Sequence, residues 1–554
     1  MGDVRQGEMR RTGQPRCAAG ADVHDDETTR QGGARVTLEV DQVLAWVHGA
    51  RTGLADARGR IDAVNVFPVA DADTGTNAWL TIEGGARAVD DLGAAERTAA
   101  EVLAVFARGA MLAARGNSGV ILSQWLAGFV RRTTAAAADE PAGAVLAQAL
   151  RAAARAARHA LAEPQDGTVL TLADEVADAA VLGADSGATA PAVLAQAATA
   201  GHQSLARISA THPVLRRAHV PDAGACALLV VVDALVLAVT GGAPRSPAEW
   251  LPERGSAHEA QPGECGTEHA AAGGAFEVML VVRGLDQGGG ESSAPDLADG
   301  LRSVLGEVGD SVAVVGADGW WHAHVHTDDP AAAIAACAVG RREQVVVRRL
   351  DVVDLGVVAG PGRGWGLVVV TGSPALASWY ATAGAVVVVR CPEEPVTAAH
   401  VRRAVEDAGC PDVLVVPGGV VSGHELESLL ALDGVEVLGA HDEARAAVAT
   451  LAFVTSDSAA PVHAAALATG RVRVAELAPR DAGAALDETV ARLVVAPPSD
   501  DRATGTRPES LTVVVPGALE DALAADIEAA AAAHGLEPTI LSDATADAVL
   551  VAVD

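Results

Sequence analysis

A chain of 554 residues with half of them apolar can bury sizeable cores in about two to four domains, and with one Tyr and five Phe the packing must come from Ala, Leu and Val. A formal net charge of -32 excludes a basic nucleic-acid surface or a basic membrane patch. All 40 basic residues are Arg, which excludes a Walker A phosphate loop, the paired Lys of protein kinases and Schiff-base chemistry.

In chain order, residues 1–36 are polar and aperiodic and are expected to form a disordered leader. From Leu38 onward apolar residues recur at helical spacing, and further helices are expected near 76–92, 96–114, 118–131, 142–162, 168–183, 190–207 and 223–239. An all-α domain of about eight helices over 37–240 follows. The apolar run Ala223 to Val239 is interrupted by Asp233 and reads as a buried helix, not a membrane span. Residues 241–274, rich in Gly, Pro, Glu and His, read as a linker. Strands at 276–282, 311–315 and 322–326 with a helix at 297–308 suggest a small α/β domain over 275–354. Val-rich strands at 367–371, 385–390, 413–416, 435–438, 472–476, 511–515 and 548–553 alternate with Ala-rich helices, so a C-terminal α/β domain with a mainly parallel sheet is expected over 355–554. The six cysteines (17, 226, 265, 337, 391 and 410) show no CxxC spacing, and a reducing cytoplasm is the simplest home.

The chemistry is concentrated in Asn65 to Asn77, NVFPVADADTGTN. Asp71 and Asp73 are separated by one small residue, so in a tight turn both carboxylates can face one hard cation. Thr74, Gly75, Thr76 and Asn77 follow at a helix start, which would set carboxylates beside free backbone amides, an arrangement that calls for a metal and a phosphate between them. A plain helix cap is the alternative for the Asp pair. Gly116, Asn117, Ser118 and Gly119 lie where one helix ends and the next begins, so their amides and the Ser118 hydroxyl can meet a phosphate, with Arg115 as charge partner; a helix-helix turn is the bland reading. His322, His324 and His326 alternate on a strand, roughly 6.5 to 7 Å apart on one face, and neighbours can share a metal if a third ligand arrives from elsewhere.

NVFPVADADTGTN followed by RGNSGVILSQ resembles the nucleotide-binding domain of the fatty acid kinase catalytic subunit family, which is related to the ADP-binding subunit of dihydroxyacetone kinase. The blocks GTVLT (167–171), VPDAG (220–224) and HVHTDDP (324–330) follow in the same order. The resemblance is sharp over about 40–240, patchy to 354 and weak afterwards. It implies an all-helical barrel or bundle followed by two α/β domains, and an ATP-dependent kinase that makes acyl phosphate from a fatty acid presented by a DegV-family carrier protein. It further implies two Mg2+ ions on Asn65, Asp71 and Asp73, and a nucleotide pocket completed by Thr168, Asp222 and Gly224. Ala70 and Ala72 stand where the family has Pro and Gly, which alters the turn. Among relatives His324 and His326 resemble Zn2+ ligands with a Cys from a neighbouring strand; Ala275 occupies that position here, with Cys265 and His269 in the preceding linker, so Zn2+ and a solvated polar strand face stand level. The C-terminal family blocks resembling GGQTMNPS and LPNNxN are represented at most by Val389 to Pro392 and Val416 to Gly419, which leaves the carrier contact and a homodimer open. A dihydroxyacetone-type small-molecule kinase and a non-catalytic nucleotide-sensing scaffold are the competing readings.

Overall fold

The computed structural model describes residues 38–67, 72–93, 97–161, 164–242, 246–251, 274–284, 294–317, 319–350, 364–456, 460–497 and 508–554. The leader, Asp71, Cys265, His269 and most of the linker lie outside the described residues.

Nine described helices build the N-terminal domain: α1 (Val40–Ala63), α2 (Thr74–Asp90), α3 (Ala99–Leu112), α4 (Gly116–Thr134), α5 (Ala142–His159), α6 (Val169–Asp185), α7 (Ala190–Thr211), α8 (Pro213–Ala218) and α9 (Ala223–Thr240). The short α8, opened by a proline, is the one beyond the eight read from periodicity. Capping chemistry sets several starts: Thr98 and Glu101 form a reciprocal box at α3, Thr168 caps α6, and Asp222 caps α9. Neighbouring helices pack in sequence and α9 returns to α1, which closes the ring. Trp46 of α1 is fully buried, donates its indole N–H to the Val231 carbonyl of α9 at 3.0 Å and meets Phe106 and Phe129 edge-on, so one side chain ties three other helices together. Among the described helices α9 is long and apolar enough to cross a membrane, and it packs on α1, α6 and α7 with Cys226, Leu229, Val231 and Leu235 inaccessible.

The remainder is built on two mixed sheets. The first runs in the order β2-β3-β1-β4-β6-β5-β7-β8, formed by β1 (Phe276–Arg283), β2 (Asp310–Ala317), β3 (Trp320–Thr327), β4 (Arg341–Arg349), β5 (Trp365–Thr371), β6 (Val386–Val389), β7 (Asp412–Val416) and β8 (Val435–Val437). Its first five strands pair antiparallel and β6, β5, β7 and β8 pair parallel. Because β4 pairs with β6, the sheet runs straight through the domain boundary expected at 354/355. The second sheet, β11-β10-β12-β9, comprises β9 (Arg473–Leu477), β10 (Ser510–Pro516), β11 (Glu537–Asp543) and β12 (Val549–Val553), with only β10 and β11 parallel. The C-terminal region is thus mixed α/β, not one mainly parallel sheet.

Two contacts fix the sheet against the helical ring. Edge strand β2 meets the end of α5 through a bridge between Ala313 and Leu161, over a shared apolar cluster that includes Met111, Ala114, Val120 and Val315. Helix α13 (Ala398–Asp407), which follows β6, pairs Glu406 with Arg87 and Asp407 with Arg115.

Candidate functional site

The N-termini of α2, α4, α6 and α9 gather at one end of the ring. Asn77 of α2 faces the start of α4, where a β-carbon at Gly116 would lie 2.8 Å from its Nδ2; with φ at +55°, Gly116 also occupies the left-handed region that favours glycine. Ser118, Val169 and Gly224 line one small apolar cavity, which joins the starts of α4, α6 and α9. Phe67, from the turn after α1, stacks on the buried His212 ring with centroids 4.2 Å apart, and His212 lies against Gly167 just ahead of Thr168. Four positive dipole ends in a strongly acidic chain form a ready seat for an anion.

Several expected contacts are drawn differently. The first amides of α2 are already taken: Asp62 of α1 accepts from Gly75 N at 2.6 Å, Thr76 N at 3.0 Å and the Thr76 hydroxyl at 2.8 Å. Burial raises the Asp62 pKa against these hydrogen bonds, with Asp73 pushing the same way as burial. Asp62 sits inside a helical pattern, and no motif marks it. Asp73 does not cap α2 with its side chain; its carboxylate meets the Arg348 guanidinium at 2.9 Å. Ala72 just before it holds φ at +56°, a left-handed conformation costly for a β-carbon, so the Gly-to-Ala departure is carried as strain of about 1 kcal/mol. Asn65 is buried. Asn117 Oδ1 is buried without a hydrogen-bond partner among the described residues, as expected of a group awaiting a ligand.

Arg115 is not a phosphate partner in this arrangement. It is 3% exposed, pairs with Asp407 and donates to the Ala113 carbonyl at 2.7 Å, so it fastens α13 to the helical ring. Thr168 and Asp222 do act as helix caps, Asp222 accepting from Ala225 N at 2.7 Å, and burial lifts the Asp222 carboxyl to about 6. Gly119 is required by packing: a methyl there would run into the Thr81 hydroxyl of α2, which itself donates to the Asn77 carbonyl at 2.7 Å. Gly119→Ala is therefore expected to destabilise by about 1–3 kcal/mol, and adding Thr81→Ala should recover part of the loss by emptying the collision. Chemical denaturation of both variants checks this; simple additivity of the two effects would refute it.

Register places a second cluster beside the first. Glu277 on β1 lies opposite His326 on β3 and Arg348 on β4, and His324 and His322 follow on the same face. This face looks toward the ring: Glu277 Oε1 lies 3.9 Å from where a Gly116 β-carbon would sit. One ligand atom each from Glu277, His324 and His326 lie within 4.8 Å of one another, all buried. His324 Nδ1 stands 3.1 Å from Glu277 Oε1 without hydrogen-bond alignment, and neither His324 nitrogen nor His326 Nδ1 has a hydrogen-bond partner among the described residues. Burial holds His322 well below the ordinary imidazole range and His326 at about 3, so both rings are neutral, as metal ligands must be. Burial would raise the Glu277 pKa, but Arg348 and His324 more than reverse it and hold it well below the carboxylate range. The Asp73–Arg348–Glu277 chain thus links the two clusters across the domain contact. The third ligand left open by Ala275 is Glu277, two residues further along β1.

Residues 68–237 match the model of the DAK2 domain, and residues 274–352 match that of the middle domain of FakA-like fatty acid kinase proteins. With both domains in this order, the chain belongs to the FakA-like fatty acid kinase family. An uncharacterized protein of Staphylococcus haemolyticus is 31% identical over 286 residues, 51% of this chain and 50% of that protein. Protein YloV of Bacillus subtilis is 28% identical over 304 residues, 53% of this chain and 52% of that protein. The chain spans about half the length of the curated relatives it matches. Among solved structures, the dihydroxyacetone kinase from C. freundii in complex with AMP-PNP and Mg2+ gives a TM-score of 0.27 at 16% identity, covering 40% of this chain and 38% of that one, too slight a likeness to bear on the fold.

Proposed function

We propose that this chain is an ATP-dependent phosphotransferase that converts a fatty acid carboxylate to acyl phosphate, the acid being delivered by a DegV-family carrier protein in a reducing cytoplasm. The observation that carries the reading is the gathering of four helix N-termini around Asn77, Gly116–Ser118 and Gly224, a seat for polyphosphate built without lysine. Asn65, Asp71 and Asp73 would hold Mg2+, and the fit is supported by an Asp73 carboxylate that caps no helix and by the strained turn at Ala72. The bound Mg2+ would supply charge neutralisation on the β- and γ-phosphates. Asn117 and Ser118 would orient the phosphates at the start of α4, and Asp62 holds the α2 start rigid by occupying its amides. A carboxylate acceptor is ionised at neutral pH, so no side chain has to take a proton from it.

Glu277, His324 and His326 would hold Zn2+, supported by the unpartnered ring nitrogens, with the fourth position turned toward Gly116. A nucleotide-sensing scaffold is the second reading, favoured by Arg348, which already sets a cation against Asp73. The test is ATP consumption by the purified full chain with Mg2+ and, in separate arms, dihydroxyacetone or a fatty-acid-loaded carrier. Turnover restricted to the loaded carrier supports the reading; turnover restricted to dihydroxyacetone replaces it with a small-molecule kinase, and tight ADP binding without turnover in any arm replaces it with the scaffold.

A further inference from the structure

The contact between the helical ring and the sheet leaves an open cleft of about 510 Å³, well within the range of small-molecule sites. It runs beside the C-terminal half of α4, from Gln124 to Arg131, and Arg131 lies about 22 Å along the helix from Gly116. The cleft is therefore separate from the phosphate seat. Its other walls are α5, edge strand β2 and helix α10 (Ala294–Gly306).

The polar groups around this cleft are of one kind. Arg131 and Arg155 are exposed, and neither has an ion pair or hydrogen bond among the described residues. His159 adds a third basic group at the end of α5. Arg302 on α10 donates to the Val314 carbonyl at 3.0 Å, and its Nε is buried without a partner among the described residues. Gln124, 9% exposed, likewise has a buried Nε2 with none. Both unfilled groups are donors, and each left unmet costs about 1–3 kcal/mol. Among the described residues no carboxylate lines the cleft, although acidic residues outnumber basic ones 72 to 40 in the chain. Between the cations the surface is apolar, made by Ala152 and Ala156 of α5 and by Val315 and Trp321 of the sheet. A bare anion would leave that surface wet, and a neutral lipid would leave the donors unmet.

We propose that this cleft binds an amphiphilic anion, with a carboxylate or phosphate head held by Arg131, Arg155 and the free donors and an alkyl body over Ala152, Ala156 and Trp321. The assignment does not rest on the kinase reading. It is tested by calorimetric titration of the full chain with octyl phosphate, octanoate, octanol and inorganic phosphate, in the wild type and in the Arg131→Ser/Arg155→Ser double variant. At least one of the two amphiphilic anions is expected to bind at least tenfold more tightly than octanol or inorganic phosphate, and at least tenfold more weakly to the double variant than to the wild type. Whichever head binds better identifies the source chemistry. Octanol or inorganic phosphate equalling both amphiphiles, or an unchanged affinity in the double variant, overturns the proposal. Because both arginines are exposed, the melting temperature should hold, and MgADP titration reports the nucleotide seat independently.

Discussion

Asp73→Ala is expected to reduce ATP turnover at least about a thousandfold while the chain stays folded. If Asp73 holds Mg2+ against the phosphates, its loss removes charge stabilisation at the point where negative charge is transferred, and each 1.36 kcal/mol lost costs about tenfold. The structural cost is small. The Asp73 and Arg348 side chains are 23% and 22% exposed, a partly solvated pair of the kind worth about 1 kcal/mol or less, and Arg348 keeps Glu277 as its second partner. Asp73→Asn should behave alike, since an amide oxygen is a poor substitute for a carboxylate on a hard cation. Turnover and circular dichroism measured together check it: near-normal turnover from a folded variant would remove Asp73 from the metal site. Asp71, which should behave like Asp73, lies outside the described residues.

How far the molecule was legible in its sequence varied with the strength of local periodicity. The helices over 40–240 were readable because Ala and Leu recur at helical spacing and caps such as Thr98 and Asp222 mark their starts. Strand β4 was missed because RREQVVVRR carries four Arg that mask a short Val run, and β11 because EPTILSD is a polar edge strand with a proline. The continuity of the large sheet depends on β4 pairing with β6, a non-local match that no short window contains. The phosphate-facing segments were legible as motifs. The groups that organise them were not, because each acts across a separation that no motif spans: Asp62 on the start of α2, Asp407 on Arg115, and Glu277 on both Arg348 and His324. A lone Glu in an apolar strand reads as an outward-facing residue until its partner on another strand is known.

Glu277 therefore gives the second large effect. Glu277→Ala leaves Arg348 in a buried setting with Asp73 alone, and breaking a buried charge pair costs about 3–5 kcal/mol, so a marked fall in melting temperature is expected whether or not a metal is present. His326→Asn separates the two roles, because it leaves the Glu277–Arg348 pair intact while removing a ring whose Nδ1 has no partner among the described residues. With Zn2+ bound by Glu277, His324 and His326, wild-type protein purified without an affinity tag should carry about one equivalent of zinc and melt lower after chelation. His326→Asn should carry well below one equivalent and ignore the chelator. Acid adds a signature of fixed sign. The His326 pKa, held at about 3 by burial, lies below its unfolded value of about 6.5, so its contribution is complete above pH 6.5 and is lost as pH falls toward 3. Proton competition for the ligands would steepen that loss in the metal-loaded wild type relative to His326→Asn. Zinc-free wild-type protein with a chelator-insensitive melt, alongside a His326→Asn variant of nearly unchanged stability, would reduce the cluster to a charge-paired strand face whose function is to hold Arg348 against Asp73.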